Sequence, residues 1–401
     1  MAEDAIGLED ARARVLARVR LLSAEPVPLA DALDRVLASD VPAEQDVPGF
    51  DNSAMDGFAV LAADTARPPA VLRVAGESRA GRPARVAVAP GQAIRISTGA
   101  MVPAGADAVV RVEDTAPDRA GVEVRTSVAP GRHVRRAGED LRAGQVAVAQ
   151  GTRLGPAELG VLAAVGVQAA PCTRRPRLSL LTTGDELLAP GTPLRPGTIH
   201  DANRYSVAAQ ARRAGAELVS VGWLPDEADA TVAGVREALR ADVVVVCGGV
   251  SVGEHDHVKA ALAQLGVEEE FWGVALRPGH PTWFGVGAEG PLVFGLPGNP
   301  VSAMVTFQLF VRPALLALAG ARDPRPTLSA TMEEDYAKPP GRTHVVRCRL
   351  RAAEDGWHVR PTGPQGSHVL TSMLGAGALA VLEAERGDVH AGESVTIEVL
   401  A

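Results

Sequence analysis

Three glycine-containing segments stand out because each follows an apolar run and precedes a helical pattern. They are 182–186 (TTGDE), 248–254 (GGVSVGE) and 295–300 (GLPGNP). Glycine lets a backbone turn sharply or approach a ligand, and the free N–H groups and dipole of a helix start favour anions. Each segment alone is equally compatible with an ordinary turn between a strand and a helix. Three of them in one part of the chain favour a site for a phosphorylated ligand.

Acidic residues are concentrated in or near the same segments. They are Asp185, Glu186, Asp226, Glu254 and Asp256. A phosphorylated ligand and several carboxylates repel one another unless a divalent cation lies between them, and Mg²⁺ prefers oxygen ligands. The alternative is that these acids cap helices, where the dipole favours them. The pattern therefore predicts a Mg²⁺ site or a set of helix caps.

Other polar clusters carry a weaker signal. Segments 51–59 (DNSAMDGFA), 97–100 (STGA) and 135–140 (RRAGED) are turn-prone, and each alone is compatible with a surface loop. His255 and His257 are separated by one residue and have no third ligand at a plausible spacing, which does not favour a zinc site.

The elements around the first three segments alternate between strand and helix patterns. Strands are predicted for 177–182, 217–222, 242–247 and 291–296, and helices for 203–214, 226–240 and 301–320. The continuous apolar run ending at Cys247 is typical of a parallel strand buried on both faces. This alternation predicts a doubly wound α/β domain, in which ligands bind at the carboxyl ends of the strands.

The remaining chain predicts three further units. Short β-branched runs between Gly and Pro residues predict a small β module over 46–140. Helical patterns over 8–22, 29–38 and 155–166 predict a helical linker and dimerisation domain made of 1–45 and 141–175, into which the β module is inserted. The α/β domain then takes 176–324, and strands after it predict a C-terminal β domain over 325–401.

The amino-acid composition argues against several classes of protein. The net charge of -8 argues against nucleic-acid binding, and three distant cysteines argue against a disulfide framework. The N-terminal residues lack the apolar segment of a signal peptide. The apolar stretch 301–320 contains Gln308, Arg312 and Pro313, which favours a buried helix over a membrane span. We therefore expect a cytoplasmic enzyme.

Taken together, the motifs resemble one family, the molybdopterin molybdenumtransferases, which includes the bacterial MoeA proteins and the E domain of gephyrin. The matching segments run in order along nearly the whole chain: PGFDNSAMDGFAV (48–60), RISTGAMVPAGADAVV (95–110), RRAGEDL (135–141), TTGDEL (182–187), IHDANRY (199–205), CGGVSVGEHD (247–256), GLPGNPVSA (295–303), GRTHVVR (341–347) and QGSHVLTSM (365–373). The combination of DNSAMDG, GGVSVGE and GLPGNP is highly specific.

The resemblance implies four domains, including a barrel-like C-terminal domain, and an elongated homodimer. It also implies an active cleft between the α/β domain of one subunit and the β module of the other. The family reaction takes adenylylated molybdopterin and molybdate, hydrolyses the phosphoanhydride with Mg²⁺, inserts molybdenum at the dithiolene and releases AMP. Transient contacts with the adenylyltransferase and with cofactor-accepting enzymes are implied as well.

Site residues follow from the resemblance position by position. The catalytic set is Asp56, Thr98, Asp140, Glu186, Asp226 and Asp256, of which Glu186, Asp226 and Asp256 would bind the metal. The substrate-binding set is Gly184, Asp185, Gly248, Gly249, Ser251, Gly253, Glu254, Lys259, Pro297, Gly298, Asn299, Pro300 and Ser302. Molybdate would be held by Arg277, His280, Ser251, Arg342 (or Arg347) and Ser367.

One turn departs from the family pattern. The family's KPGKP turn reads RPGHP at 277–281. Lysine is rare in this chain, with Lys259 and Lys338 the two present, so Arg277 in place of a lysine carries little information. His280 differs, because its charge near neutral pH is conditional. We therefore expect a pH-dependent affinity for molybdate, or an oxyanion held mainly by Arg277. Lys259 indicates either a need for a compact ammonium group or a solvated helix residue.

Two alternative functions stay open at this point. The altered turn is compatible with a molybdopterin-binding scaffold without turnover, although the acids of the catalytic set argue against it. The related molybdopterin adenylyltransferase shares the GGVS-type turn, but it lacks the β module and the C-terminal domain predicted here.

Overall fold

The structure, a computed structural model, describes residues 5–250, 257–321 and 327–400. Its α-helices are α1 (Leu8–Ala17), α2 (Pro156–Ala164), α3 (Asn203–Arg213), α4 (Ala228–Ala238), α5 (His257–Gln264), α6 (Pro300–Thr306) and α7 (Arg312–Leu318). A π-helical segment, Phe307–Val311, joins α6 to α7 without a break.

The strands of the first half are β1 (Ala24–Pro28), β2 (Val41–Pro42), β3 (Asn52–Ser53), β4 (Gly57–Val60), β5 (Ala70–Ser78), β6 (Gln92–Ile96), β7 (Ala108–Arg111), β8 (Thr115–Asp118), β9 (Gly121–Val124), β10 (Val134–Arg135), β11 (Val146–Val148) and β12 (Ala169–Thr173). Those of the second half are β13 (Arg177–Thr183), β14 (Leu187–Leu188), β15 (Ile199–His200), β16 (Glu217–Leu224), β17 (Val243–Cys247), β18 (Glu268–Trp272), β19 (Leu276–Arg277), β20 (Trp283–Val286), β21 (Leu292–Leu296), β22 (Leu328–Met332), β23 (Thr343–Ala353), β24 (Gly356–Pro361), β25 (Ala378–Leu382) and β26 (Ser394–Val399).

The predicted α/β domain is confirmed as a six-stranded sheet of order β16-β13-β17-β21-β20-β18. The first four strands are parallel, whereas β20 and β18 each run antiparallel to their neighbours. Every residue of β17 is buried, because helices cover both faces of a sheet of this kind. The parallel strands β13, β17 and β21 therefore direct their carboxyl ends to one edge.

The apolar segment after β21 is a core helix of this domain. Pro300–Leu318 is long and apolar enough to cross a membrane, but 78% of that window is buried inside the protein. Its side chains pack with α1, α3 and the sheet, through residues such as Val301, Phe310 and Leu315. This burial agrees with the interpretation of the stretch as a buried helix.

The predicted β module is a six-stranded sheet of order β7-β4-β6-β5-β9-β8. Gly57 opens β4, and a Cβ at this position would lie 1.9 Å from the carbonyl oxygen of Val110 on β7. No side chain fits there, so the close approach of β4 and β7 requires glycine. Asp56 immediately precedes Gly57 and is therefore placed by the close approach of β4 to β7.

The two segments that flank the β module return to each other. β1 pairs with β12 and β2 pairs with β11, and one apolar cluster contains Val27, Leu37, Leu154 and Leu162 from both segments. This region contains α1 and α2, as well as four short strands that the sequence pattern did not indicate. The domain boundaries themselves stay a prediction.

The prediction of a second helix over 29–38 in this region is wrong. The chain forms a single 3-10 turn, Leu29–Asp31, and Asp34 then has a φ of 63°. A non-glycine residue in this left-handed conformation interrupts a right-handed helix, which explains the early end. The first helix is also shorter than the predicted 8–22, because α1 ends at Ala17.

The C-terminal domain is a closed barrel of five strands. The order is β23-β24-β22-β26-β25, and β25 pairs back to β23. The short strand β19 of the α/β region adds to β23 in parallel, which places Arg277 beside His344. The barrel and the RPGHP turn are therefore joined by backbone hydrogen bonds.

His344 lies buried at this junction. Burial, together with the positive charges of Arg277, Lys338 and Arg342, lowers the pKa of His344 to about 4. Its Nδ1 lies 3.3 Å from the Tyr336 hydroxyl. The imidazole is therefore neutral at physiological pH, within a group of cations.

This neutral histidine predicts a pH-dependent stability. The pKa of His344 is lower in the folded than in the unfolded chain, so its contribution to stability is complete above about pH 6.5 and is lost as the pH falls towards 4. We expect His344→Gln to reduce the loss of unfolding free energy across this interval by about 3 kcal/mol. The unfolding free energy is measured by denaturant unfolding at several pH values. The matched control is the exposed His390→Gln, and equal pH slopes for wild type and His344→Gln would contradict the assignment.

Candidate functional site

The three glycine turns meet at the carboxyl edge of the α/β sheet, as predicted. They follow the adjacent strands β13, β17 and β21. A Cβ on Gly248 would lie 2.8 Å from Thr183 Oγ1, and a Cβ on Gly298 would lie 3.8 Å from Gly248 Cα. The backbones of all three turns therefore converge, with their polar groups directed at one place.

The second turn requires glycine for two reasons. Gly248 and Gly249 have φ values of 93° and 65°, in the left-handed region. A side chain on Gly249 would also come within 2.6 Å of Val258 on α5. The chain can therefore turn sharply here only where side chains are absent, and the amide of Gly248 donates to the Leu296 carbonyl at 2.9 Å.

Three carboxylates lie on the turns at the same edge. The amide of Asp226 donates to Asp185 Oδ1 at 3.1 Å, and the amide of Asp185 donates to Asp226 Oδ2 at 3.3 Å. Glu186 folds back over Gly184, since a Cβ on that glycine would lie 2.3 Å from Glu186 Oε2. The structure thus places Asp185 and Asp226 against each other's backbone amides, where each partly caps the other, and it places Glu186 beside Gly184.

The described residues supply only part of the predicted metal site. Within 5–250, 257–321 and 327–400, no three His, Cys, Asp or Glu side chains are close enough to hold a metal ion. Asp256, the third predicted ligand, lies outside the described residues, as do Ser251, Gly253 and Glu254. Glu186 and Asp226 carry the type of oxygen ligand that Mg²⁺ prefers, and Mg²⁺ commonly takes one or two carboxylates together with phosphate oxygens and water.

The third turn is held from both the α/β domain and the barrel. Asn203 Nδ2 donates to the Gly298 carbonyl at 2.7 Å. On the other side, Asn299 Nδ2 donates to Ser367 Oγ at 3.1 Å, and the Val301 amide donates to the Ser367 carbonyl at 3.1 Å. Ser367 is therefore placed at the start of α6.

The predicted substrate residues of this turn differ in their exposure. Gly298 and Asn299 are exposed, whereas Pro297 is buried, Pro300 is half-buried and begins α6, and Ser302 is only 3% exposed inside the helix. Gly298 and Asn299 are thus the members of this group that face solvent.

Two polar residues of the 199–205 segment belong to the site, although the sequence analysis assigned them no role. Asp201 is 4% exposed, accepts a hydrogen bond from Thr182 Oγ1 at 2.7 Å and accepts another from the Arg204 amide at 3.0 Å. Asn203 Oδ1 is buried, with no partner among the described residues. The IHDANRY motif was the available signal, but its polar residues have no distinctive spacing.

The β module holds the second group of predicted residues. Asp56 Oδ1 accepts a hydrogen bond from the Thr98 amide at 2.8 Å, and both lie at the surface. Asp51 accepts from the Ala137 amide at 2.9 Å, and this bond lowers the pKa of Asp51. Asp140 is exposed, and its amide donates to the Val47 carbonyl.

The two groups of predicted residues are separate within one chain. In the part of the chain that the structure describes, no hydrogen bond joins the β module to the three glycine turns. Asp56 and Thr98 thus lie together in the β module, whereas the glycine turns lie in the α/β domain.

The predicted oxyanion residues are arranged around the RPGHP turn. Arg277 and Arg342 are exposed, and both act on the pKa of the buried His344. His280 Nδ1 donates to the Val274 carbonyl at 2.9 Å. Two arginines and one histidine thus lie at this turn.

Arg347 does not belong to this exposed group. It is 1% exposed, and burial lowers its pKa. Its guanidinium donates to the Gly366 carbonyl at 3.2 Å and to Ser372 Oγ at 3.1 Å. Arg347 therefore supports the loop that carries Ser367, and Arg342 is the better candidate of the pair for contact with an anion.

Family models match three consecutive parts of the chain. Residues 6–166 match the MoeA N-terminal region (domain I and II), 179–317 match a probable molybdopterin binding domain, and 329–400 match the MoeA C-terminal region (domain IV).

Relatives cover the chain from end to end. The molybdopterin molybdenumtransferase of Haemophilus influenzae is 39% identical over 397 residues, which is 98% of each chain. That of Bacillus subtilis is 36% identical over 93% of this chain and 89% of its own. A crystal structure of the MoeA protein of Pyrococcus horikoshii superposes with a TM-score of 0.86 at 29% identity, covering 99% of this chain and 100% of the other. The chain therefore belongs to the MoeA family of molybdopterin molybdenumtransferases.

Proposed function

We propose that this transferase of molybdenum cofactor biosynthesis inserts molybdate into adenylylated molybdopterin in a Mg²⁺-dependent reaction that releases AMP. The observation that supports this most is the convergence of three glycine turns and three carboxylates at one edge of a parallel sheet. Such an edge binds phosphorylated ligands, and the carboxylates supply the position for a cation beside them.

The phosphate groups of the substrate bind at the backbone of the turns. The backbone amide of Gly249 in the second turn provides a hydrogen-bond donor, and the dipole of a helix start favours the negative charge. The amides of Gly248 and Val301 already donate to the carbonyls of Leu296 and Ser367, so they hold the turns in place.

Glu186 and Asp226 would hold Mg²⁺, with Asp256 as the third ligand by its position in the motif. A bound Mg²⁺ would supply positive charge beside the phosphate oxygens and the phosphoanhydride. The reciprocal hydrogen bonds of Asp185 and Asp226 fix the turn after β13 relative to the turn after β16.

The chain acts as a homodimer in which the β module of the partner completes the site. The separation of the Asp56–Thr98 pair from the glycine turns within one chain supports this arrangement. Thr98 orients the Asp56 carboxylate through its amide, so the pair is preformed before it meets the other half.

Molybdate binds at the RPGHP turn, where Arg277 and Arg342 supply permanent positive charge and His280 supplies a conditional one. Ser367 approaches from the barrel through its contact with Asn299. A cytoplasmic location and transient contacts with the adenylyltransferase and with cofactor-accepting enzymes belong to the same proposal.

Supplying adenylylated molybdopterin, Mg²⁺ and molybdate tests the reaction directly. We expect AMP and active cofactor to form together, and AMP release to stop when Mg²⁺ is chelated. Binding of molybdopterin without AMP under any condition would favour a non-catalytic scaffold. Adenylylation of free molybdopterin would favour an adenylyltransferase, although the full-length match to the transferase family argues against that outcome.

Mixed dimers test the shared site. A heterodimer of an Asp56→Asn chain and an Asp226→Asn chain contains one doubly altered site and one intact site if each site uses two subunits. We expect each homodimer to be inactive and the purified heterodimer to recover about half of the wild-type turnover per dimer. The heterodimer is purified after the two chains are co-expressed with different affinity tags. An inactive heterodimer from two folded chains would place both residues in one subunit's site.

The affinity for molybdate should depend on pH through His280. Because His280 Nδ1 donates to the Val274 carbonyl, a second ring proton would lie on Nε2 and would add a positive charge beside the turn. We expect molybdate to bind more tightly at about pH 6 than at about pH 8 in the wild type, and His280→Lys to flatten this profile. The exposed His390→Lys is the control. An unchanged profile in His280→Lys would exclude His280 from the oxyanion site.

A further inference from the structure

Two tryptophans at opposite edges of the α/β sheet reach the glycine turns. Trp223 lies near the end of β16, the strand at one edge, and Trp272 ends β18, the strand at the other. Each donates a hydrogen bond from its indole Nε1 to a backbone carbonyl of a turn. We propose that Trp223 and Trp272 are positioning residues that fix the ligand-binding conformation of the first and second glycine turns. The kinetic part of this proposal rests on the proposed function.

Trp223 holds one peptide group of the first turn. Its Nε1 donates to the Gly184 carbonyl at 2.8 Å. The N–H of the same peptide group belongs to Asp185 and donates to Asp226 Oδ2. The two ends of this peptide group are therefore held from opposite sides, so Trp223 sets the direction in which Asp185 meets Asp226.

The exposure of Trp223 argues against a role in core packing alone. The side chain is 42% exposed, whereas Trp283, on the inner strand β20, is only 2% exposed. A large aromatic side chain that is left this exposed gains less from burial than a core tryptophan. The hydrogen bond to Gly184 is therefore the specific contact that the indole provides at this edge.

Trp272 contacts the described residues on both sides of the second turn. Its Nε1 donates to the Val250 carbonyl at 2.9 Å, directly after Gly249. Lys259 Nζ, on α5, lies 4.4 Å from the centroid of the indole ring, within the range of a cation–π interaction. One side chain thus links the start of the GGVS segment to the helix that follows it.

Trp272 also links this turn to the oxyanion end. Its ring meets that of His280 edge to face, with centroids 6.0 Å apart and planes at 64°. Trp272 therefore contacts both the second turn and His280. This gives Lys259 a specific partner, whereas its sequence position left open a solvated helix residue.

Hydrogen exchange in the ligand-free protein tests the anchoring without any substrate. Trp→Phe keeps an aromatic ring and removes the donor. We expect Trp223→Phe to raise amide exchange about fivefold over 184–187 and Trp272→Phe to do so over 248–250, as the loss of one hydrogen bond implies. Trp357→Phe, in the barrel, is the control and should change neither. Unchanged exchange at both turns would overturn the proposal.

A measurement on the wild type avoids the effect of any variant on folding. Trp223 and Trp357 have the same exposure, 42%. Exchange of the indole N–H, followed by NMR, should be slower for Trp223 than for Trp357, because the first donates to Gly184. Equal exchange rates would show that the bond to the turn does not persist in solution, which contradicts the proposal.

Turnover separates a positioning role from a structural one. We expect each Trp→Phe change to raise KM for adenylylated molybdopterin about fivefold with a smaller change in kcat, because the turns bind the substrate phosphates. Trp357→Phe should leave both unchanged. If the wild-type protein shows no turnover, the proposed function is rejected. The hydrogen-exchange experiments still test whether the two tryptophans anchor the glycine turns. Unchanged KM in both variants of an active enzyme would overturn the positioning role.

Discussion

The structure depends on one constraint, namely that three adjacent parallel strands end at the same edge and that their glycine turns meet there. Strands β13, β17 and β21 meet this constraint because their residues are apolar and helices cover both faces of the sheet. The turns after them approach each other so closely that Gly248 cannot carry a side chain without moving Thr183. Packing of the sheet thus determines the geometry of the polar edge.

An anion site beside carboxylates is electrostatically unfavourable unless cations compensate it. Here the compensation comes from several sources. The amides of the turns carry partial positive charge, and Arg277 and Arg342 stand at the junction with the barrel. The remaining negative charge of Glu186 and Asp226 is what a divalent cation would neutralise. The buried His344 stays neutral, so the charge at this junction comes from arginines at the surface.

The sequence predicted the parts of the fold that depend on local pattern. The continuous apolar run Val243–Cys247 is typical of a parallel strand that is buried on both faces. The glycine residues directly after it indicate a turn between this strand and the next helix. The second helix near Leu29 was predicted wrongly, because the left-handed conformation of Asp34 is set by tertiary packing.

Contacts between distant elements were not predictable from local pattern. Asp201 and Trp223 meet the turns through hydrogen bonds from elements 19 and 39 residues away from their partners. The resemblance offered Arg347 as the alternative to Arg342 for holding molybdate. The barrel, however, buries Arg347 under the loop of Ser367. Side-chain roles of this kind depend on which strands are neighbours, and sequence spacing does not encode this directly.

A crystal structure with molybdopterin bound tests the central claim most directly. The account predicts that the terminal phosphate lies within hydrogen-bonding distance of the backbone amide of Gly249, at the edge shared with Gly184 and Gly298. A phosphate bound at any other surface would contradict it.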